Sequence, residues 1–419
     1  MKTITPNKLL PRALVLACSL LLTQAAFAAE GRAGGRGDDE APATNAIDQR
    51  TAEILTAAIE FLNTDKTAEA RAKLGELDLA RLSPYEKSRV EQMLANLDQG
   101  DGNYDGVRAH LKAAIDSGGL NDQELAAASY NIAQTWISEE KWTEGAAALE
   151  AWIRDSVTPV SSGPYYLLAV AYYQQDKFDE ALPHIRKAVE LTNPPQESWL
   201  QLLLGILIQK ESYQDAIVVL EQMINLNPDK KDYWMNLSNI YATLEDYPNA
   251  LAILQFANYN GMVTEDAEIR RLGDMMMIND MPFQAAEVMK AAGEANQVEK
   301  DIKYYESLAN SWIAAREYRK ALPVLGEAAR LADNGDTYVR IAEVNVQLSE
   351  WEAAATAMKS GIDKGGLRDE SQAQLLMGIA LYNQDKFSEA RPYLERARSG
   401  ANTKNTANGF LQLIESRSN

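Results

Sequence analysis

One short pattern recurs through most of the chain and limits what it can fold into. An aromatic residue stands three positions before a small residue, and successive small residues are 33 to 38 positions apart. A period of this length indicates a repeat architecture, in which one supersecondary unit stacks on the next. The pairs are a weaker first copy, Thr67/Ala70, and then Tyr104/Val107, Trp142/Gly145, Phe178/Ala181, Tyr213/Ala216, Tyr247/Ala250, Phe283/Ala286, Tyr318/Ala321, Trp351/Ala354 and Phe387/Ala390.

From Thr51 onward, apolar residues recur at helical spacing and short polar turns interrupt them. We therefore expect each repeat to form two antiparallel helices, named A and B, with the small residue on helix B. A small side chain there lets helix B approach helix A closely, and the aromatic residue fills the gap between hairpins. One hairpin cannot bury its apolar face alone, so the repeats have to stack.

The copy that contains Ala250 has the fullest set of these residues, and Pro228 ends the copy before it because proline cannot continue a helix. In spacing and residue types the copies resemble the tetratricopeptide repeat, a helix-turn-helix unit of about 34 residues. The resemblance covers residues 51–400. It implies an all-α fold, a right-handed α-solenoid of about ten helical hairpins. The motif residues in this copy are Trp234, Leu237, Ser238, Tyr241, Tyr247, Ala250, Leu254 and Ala257.

Three regions depart from the repeat pattern. The first two copies are poorer and longer than the others. The copy around Ala286 has Arg270 where an aromatic residue is usual, so we expect a helix pair there without the standard packing. After the last copy, Thr403–Glu415 has Phe410, Leu411 and Ile414 on one side. This segment resembles a C-terminal capping helix that shields the last hairpin from water.

The first residues have the layout of a secretory signal peptide. Basic residues precede the short apolar run Ala13–Leu22, and Ala26–Ala28 supplies small residues for cleavage. Cys18, the single cysteine, allows a second interpretation as a lipoprotein, although Leu16 is bulky for that signal. We expect an exported, periplasmic protein with a signal peptide at 1–28, a flexible linker at 29–46, the solenoid at 47–402, and the capping helix and tail at 403–419.

The chain is strongly acidic. It has 41 Lys and Arg against 60 Asp and Glu, a net charge of −19, and loss of the three basic residues of the signal peptide would make it −22. Such a surface repels nucleic acid and anionic lipid heads, and it favours basic or neutral protein partners. An alternative interpretation is that the charge only keeps a large surface soluble.

Nothing in the sequence matches a catalytic, phosphate-binding or metal-binding motif. The two histidines, His110 and His184, are each alone on a predicted helix B. We expect no catalytic residue, no metal site and no cofactor, and we expect a protein that is not an enzyme. A pair of carboxylates that act as in a glycosidase stays open, because Asp and Glu are abundant.

The resemblance implies instead that outward positions of the A helices bind other proteins. For Tyr166 and Tyr173 the alternative is packing against the next helix, and for the asparagines it is simple exposure to solvent. A second candidate surface is Met275–Met277 with Met281, for which the alternative is filling of the core. The candidate partner-binding residues are Tyr130, Gln134, Tyr166, Tyr173, Asn239, Arg271, Lys303 and Asn310.

A finer resemblance comes from the signal peptide, the acidic tether, the ten repeats, and segments such as Glu197–Leu203 and Asp232–Ser238. Together they look like the periplasmic tetratricopeptide repeat proteins that accompany TonB–ExbB–ExbD systems in gammaproteobacteria. That resemblance implies a scaffold that assists TonB-dependent uptake of iron or other nutrients, with envelope proteins as partners. A scaffold for outer-membrane or peptidoglycan assembly is the alternative, and a hydrolase with a solenoid platform is a third.

Overall fold

The structure is a computed structural model that describes residues 46–418, in which all regular elements are helices. The chain divides into two compact units, Met1–Val219 and Leu220–Asn419, and the division falls within one helix. The predicted signal peptide, Cys18 and the linker up to residue 45 lie outside the described residues. Odd-numbered helices up to α19 are the A helices, and even-numbered ones are the B helices.

Unit 1 contains four helical hairpins followed by a fifth A helix. Its helices are α1 Gln49–Leu62, α2 Thr67–Leu74, α3 Pro84–Gly100, α4 Tyr104–Asp116, α5 Asp122–Ser138, α6 Trp142–Asp155, α7 Ser162–Tyr173, α8 Phe178–Glu190 and α9 Glu197–Gln209. The helix in which the division falls is α10, Tyr213–Leu226.

Unit 2 contains five further hairpins and a last single helix. Its helices are α11 Lys231–Thr243, α12 Tyr247–Tyr259, α13 Asp266–Ile278, α14 Pro282–Glu294, α15 Ile302–Ala314, α16 Tyr318–Leu331, α17 Asp336–Gln347, α18 Trp351–Lys364, α19 Glu370–Tyr382, α20 Phe387–Ala397 and α21 Lys404–Ser418. In both units each helix packs on the next along the chain. The predicted all-α solenoid of helical hairpins is confirmed.

Every A helix reaches its B helix through the same tight turn. In the fourth hairpin Asp176 adopts a left-handed conformation with φ 57°, and the Lys177 amide donates to the Tyr172 carbonyl at 3.0 Å. The Ala181 amide then donates to the Lys177 carbonyl at 3.0 Å, which starts helix α8. A residue with positive φ stands five positions before the small residue in each hairpin. These residues are Asp65, Gly102, Glu140, Asp176, Glu211, Glu245, Asp280, Arg316, Ser349 and Asp385.

The small residues are buried where B meets A, as predicted. Ala181, Ala250 and Ala321 have no exposed surface. Gly145 shows how little room there is, because a Cβ placed on it would lie 2.5 Å from Ile137 Cδ1. The small residues therefore control how closely the two helices of a hairpin approach.

In the seventh hairpin the predicted register is wrong by one residue. The left-handed residue is Asp280, and the amide that donates to the Met281 carbonyl belongs to Ala285, not Ala286. Helix α14 begins at Pro282, because proline needs no amide partner in the first turn of a helix. Phe283 is 43% exposed and is therefore not the aromatic residue of the turn.

The corrected register also shows that helix α13 has the standard packing, which the sequence predicted to be absent. Counted from Ala285, the inward position near the start of this helix is occupied by Ile269, which is buried, and Arg270 is displaced from it. Met275 and Met276 are buried in the same cluster as Leu272. The alternative interpretation of the methionines, filling of the core, is therefore the correct one for these two.

The chain ends in the predicted capping helix. Helix α21 contacts α19 and α20, and Leu411 and Ile414 are buried in the last hydrophobic cluster. The ring of Phe410 packs edge-on against Tyr382, with the ring centroids 5.1 Å apart. The helix covers the apolar side of the hairpin formed by α19 and α20.

Candidate functional site

The A helices of unit 1 carry tyrosines that pack on tryptophans. Tyr130 of α5 lies against Trp152 of α6, with centroids 4.8 Å apart. Tyr166 of α7 stacks on Trp199 of α9 at 5.1 Å and 17°. Packing against the next A helix, the alternative for Tyr166, is thus what the structure shows, and burial raises the pKa of its hydroxyl.

Tyr173 is placed differently from Tyr166. Its ring meets the edge of Phe178 in its own hairpin at 5.7 Å, and its hydroxyl lies 3.9 Å from where a Cβ on Gly205 of α9 would stand. Burial, with a smaller effect of Asp176, raises the pKa of this hydroxyl. An alanine at position 205 would therefore make only an ordinary van der Waals contact with this hydroxyl.

Gln134 of α5 is the most enclosed of the predicted residues, with 8% of its surface exposed. It has interactions within the protein. Little of its amide is accessible to a partner, so among the predicted residues of unit 1 the tyrosines are the more accessible.

The other predicted residues lie on the A helices of unit 2. Asn239 of α11 is partly exposed, and Lys303 and Asn310 of α15 are exposed. Asn239 and Asn310 each stand eleven positions before the small residue of their hairpin, so they occupy equivalent positions. By the corrected register the same position holds Asp274 in α13 and Glu343 in α17. We call Asn239, Asp274, Asn310 and Glu343 the polar row.

Arg271 lies outside the polar row, fourteen positions before Ala285. Its structural equivalent in α17 is Arg340, which donates from Nη2 to the Asn310 side-chain oxygen. Burial lowers the pKa of the Arg271 guanidinium from its ordinary value. Positive charge close to the two carboxylates of the row comes from Arg270 for Asp274 and from Arg340 for Glu343.

Both carboxylates of the polar row are partly desolvated. Desolvation raises the pKa of Asp274, and the charge of Arg270 partly opposes it. Desolvation likewise raises the pKa of Glu343, opposed in part by Arg340. Loss of water disfavours the charged form of a carboxyl group, so a cation that bound here would stabilise that form.

Sequence reasoning missed Asp274, Glu343 and Arg340. Glu343 had a usable signal, since it stands at the same distance from Ala354 as Asn310 does from Ala321. Asp274 had no clear signal, because two adjacent alanines, Ala285 and Ala286, left the register open. Only its hydrogen bond to Asn310, which the structure shows, identifies Arg340.

Residues 46–418 contain no group of three or more His, Cys, Asp or Glu side chains able to hold a metal ion. Within the same residues, no helix combines the length and apolar character needed to cross a membrane.

Comparison with protein families finds two matches in the chain. Residues 163–194, which span α7 and α8, match a tetratricopeptide repeat model. Residues 339–404, which run from α17 to the start of α21, match a second tetratricopeptide repeat model. A sequence comparison with curated proteins finds no match.

Solved structures resemble the chain at low identity. YrrB, a TPR protein with an unusual peptide-binding site, is 20% identical over 40% of this chain and 82% of its own, with a TM-score of 0.34. A tetratricopeptide repeat protein from Parabacteroides merdae is 14% identical over 71% of this chain and 99% of its own, at 0.35. The TPR2AB domain of yeast Sti1, in its pHSP90 complex, is 17% identical. The match covers 62% of this chain and 98% of that domain, with a TM-score of 0.30.

The two matched segments coincide with helix pairs of the observed hairpins, and the other hairpins repeat the same turn and the same buried small residue. Residues 163–194 and 339–404 therefore carry tetratricopeptide repeats, and such repeats indicate a scaffold for protein–protein interaction.

Proposed function

We propose that this protein is an exported, periplasmic scaffold that holds an extended, lysine-bearing segment of an envelope protein along the polar row. The partner we favour belongs to a TonB–ExbB–ExbD system, in which the scaffold would assist uptake of iron or other nutrients. The observation that carries the proposal is the polar row itself, an alternation of amides and carboxylates at one position of successive A helices.

The side chains of the row match the groups that an extended segment offers. Amides of Asn239 and Asn310 can both donate to and accept from a peptide backbone. The carboxylates of Asp274 and Glu343 can each accept from a lysine ammonium. Both carboxylates belong to exposed side chains that are only partly desolvated, so a lysine ammonium can reach them.

The net charge of the chain supports the same class of partner. At −19 it attracts a basic segment over distances longer than a contact, and this raises the rate of association at low salt. The tyrosines of unit 1 support the proposal less, because Tyr130 and Tyr166 already pack against tryptophans.

The test is affinity purification of the tagged protein from periplasm and detergent-solubilised envelope, with bound proteins identified by mass spectrometry. Recovery of TonB, ExbB or ExbD at low salt, lost at high salt, is the expected result. The double variant Asp274→Lys with Glu343→Lys should lose the same proteins, whereas Asp363→Lys, an exposed carboxylate on α18, should keep them.

Recovery of outer-membrane or cell-wall assembly proteins instead would overturn the TonB assignment and support the alternative scaffold function. Binding that does not change with salt would count against the charged row. A bound polysaccharide that the protein cleaves would favour the hydrolase.

A further inference from the structure

The ninth hairpin of the chain contains a groove that the polar row does not explain. It lies between α16, α17 and α18 in unit 2, is open to solvent, and has a volume of about 810 Å³. Leu322, Tyr338, Ile341 and Trp351 give it apolar walls. A concave site of this size with mostly apolar walls is of the kind that binds a ligand or a large side chain.

At the groove, two positions that carry larger residues in most other hairpins hold asparagine and alanine. Asn345 stands nine positions before the small residue Ala354, and Ala357 stands three positions after it; both line the groove. The fourth hairpin has Tyr172 and His184 at these two positions, with the rings stacked at 5.9 Å. At the position of Asn345, the third to eighth hairpins and the tenth carry Trp136, Tyr172, Leu207, Tyr241, Met276, Trp312 and Leu381.

Asn345 also brings a polar group to the base of this apolar groove. It is 4% exposed, and its amide nitrogen donates to the Ile341 carbonyl at 2.9 Å. That bond leaves the amide oxygen as an acceptor. A ligand that donates a hydrogen bond could therefore pair with this oxygen at the base of the groove.

The rim of the groove is acidic. Glu350 and Glu352 line it together with Thr356 and Ser360. Glu350 pairs with Arg319 at 2.8 Å, whereas Glu352 has no basic side chain within 4 Å among residues 46–418. The nearby ammonium of Lys364 is already held by the carbonyl groups of Ala329 and Ala332. Of the two carboxylates that line the groove, Glu352 is therefore the one without a basic partner.

We propose that this groove docks a second segment of a partner protein, one in which a large aromatic side chain stands next to lysine or arginine. The aromatic ring enters between Tyr338 and Trp351, and an indole or phenol donor bonds to Asn345. The neighbouring cation pairs with Glu352. This site is built on α16, α17 and α18 from residues other than those of the polar row, so binding in the groove can be tested separately from binding at the row.

The probe is a fluorescein-labelled pentapeptide, Gly-Lys-Trp-Lys-Gly, titrated with full-length protein and followed by fluorescence polarisation. Two matched peptides separate the contribution of the charge from that of the aromatic ring. Gly-Glu-Trp-Glu-Gly inverts the charge, and Gly-Lys-Ala-Lys-Gly removes the ring. We expect the first peptide to bind at least about tenfold more tightly than either, since tenfold corresponds to about 1.4 kcal/mol.

Asn345→Tyr restores the large residue of the other hairpins and should weaken the peptide at least about tenfold, the loss of one good contact. Thr356→Trp should also weaken peptide binding at least about tenfold. Because Thr356 is exposed, this variant tests the groove even if Asn345→Tyr misfolds. Asp363→Lys and the double variant of the polar row should bind as the wild type does. Circular dichroism checks that each variant is helical.

Equal binding of the charge-inverted peptide, or unchanged binding to both Asn345→Tyr and Thr356→Trp, would overturn the proposal. Failure of all three peptides to bind at millimolar concentration would also overturn it. Self-association of the protein that Asn345→Tyr abolishes would also overturn it and would identify a second copy of the chain as the occupant. Loss of peptide binding in the double variant of the polar row would show that the peptide binds to the row and not in the groove.

Discussion

A single side chain decides how closely the two helices of each hairpin approach. Ala321 has no exposed surface and lies on α16 where that helix meets α15. Positions of this kind were found from the sequence alone, because a small residue that recurs at a regular period marks the same close helix contact in each repeat. What the sequence could not show is how little space each one has, which depends on neighbours from other helices.

Ala321→Leu should lower the free energy of unfolding by about 1–3 kcal/mol, because the added carbons have to displace packed helices. Ala314→Leu is the matched control, since Ala314 lies at the end of α15 in the same hairpin and is less enclosed. It should change stability by less than about 0.5 kcal/mol. Chemical denaturation of both variants checks the prediction, and an equal effect in the two would contradict it.

His184 should make unit 1 less stable in mild acid. The imidazole stacks on Tyr165 and Tyr172, and burial lowers its pKa, with the charge of Glu150 acting in the opposite direction. A lowered pKa means that the folded state binds the proton less well than the unfolded state does. The stability is therefore complete above the ordinary histidine pKa and is lost as the pH falls through it towards the folded value.

The measurement is hydrogen exchange of α7 and α8 at pH 8 and at pH 5.5 in the wild type and in His184→Phe. Protection should fall more in the wild type than in the variant, which has no group to protonate at this position. The same fall in both proteins would show that other groups cause it.

The turns act at the scale of the element, and they determine the register of the helix that follows. Nine of the ten hairpin turns place a residue other than glycine in the left-handed region. For α13 and α14 the sequence did not show where this turn lies, so the register was predicted incorrectly. Phe283 and Ala286 repeat the expected spacing, yet Asp280 and Pro282 begin the helix one residue earlier. Counted from Ala286, Arg271 takes the position of Tyr130 and Tyr166 in their hairpins, whereas counted from Ala285 that position holds Arg270.

Arg316→Gly should stabilise the eighth hairpin. Arg316 has φ 59°, a conformation that costs a residue with a side chain about 1–2 kcal/mol and costs glycine little. We expect a gain of about 1 kcal/mol. Gly102→Ala is the reverse test in the second hairpin, where φ is 71°, and it should destabilise. Thermal unfolding of the two variants measures both, and a loss of stability in Arg316→Gly would contradict the prediction.

The capping helix should protect the end of unit 2 locally. Leu411→Asp puts a charge against the last hydrophobic cluster, so α19 and α20 should exchange their amide hydrogens faster. Leu413→Asp changes the same residue type at a position that is 48% exposed and should have little effect. Hydrogen exchange measured by mass spectrometry distinguishes them. Faster exchange throughout both units would mean that α21 does more than cap.

At the scale of the whole molecule, the sequence predicted the architecture better than the binding surfaces. The period predicted ten hairpins and a cap, since each hairpin repeats the same helix–turn–helix arrangement with a buried small residue. The surfaces depend on where repeats differ. Asn239 and Asn310 were found by their spacing, whereas the groove at Asn345 needed the structure to show that Ala357 beside it leaves the space unfilled.

The central claim is that the A helices of unit 2 hold an envelope protein. The most direct measurement places a photo-crosslinking amino acid at Asn310, an exposed member of the polar row, in the native host. The matched control places it at Glu287, an exposed residue of the B helix α14. We predict a covalent adduct with a TonB-system or other envelope protein from Asn310 and none from Glu287. Adducts from Glu287 alone, or from Asn310 to cytoplasmic proteins alone, would contradict the claim.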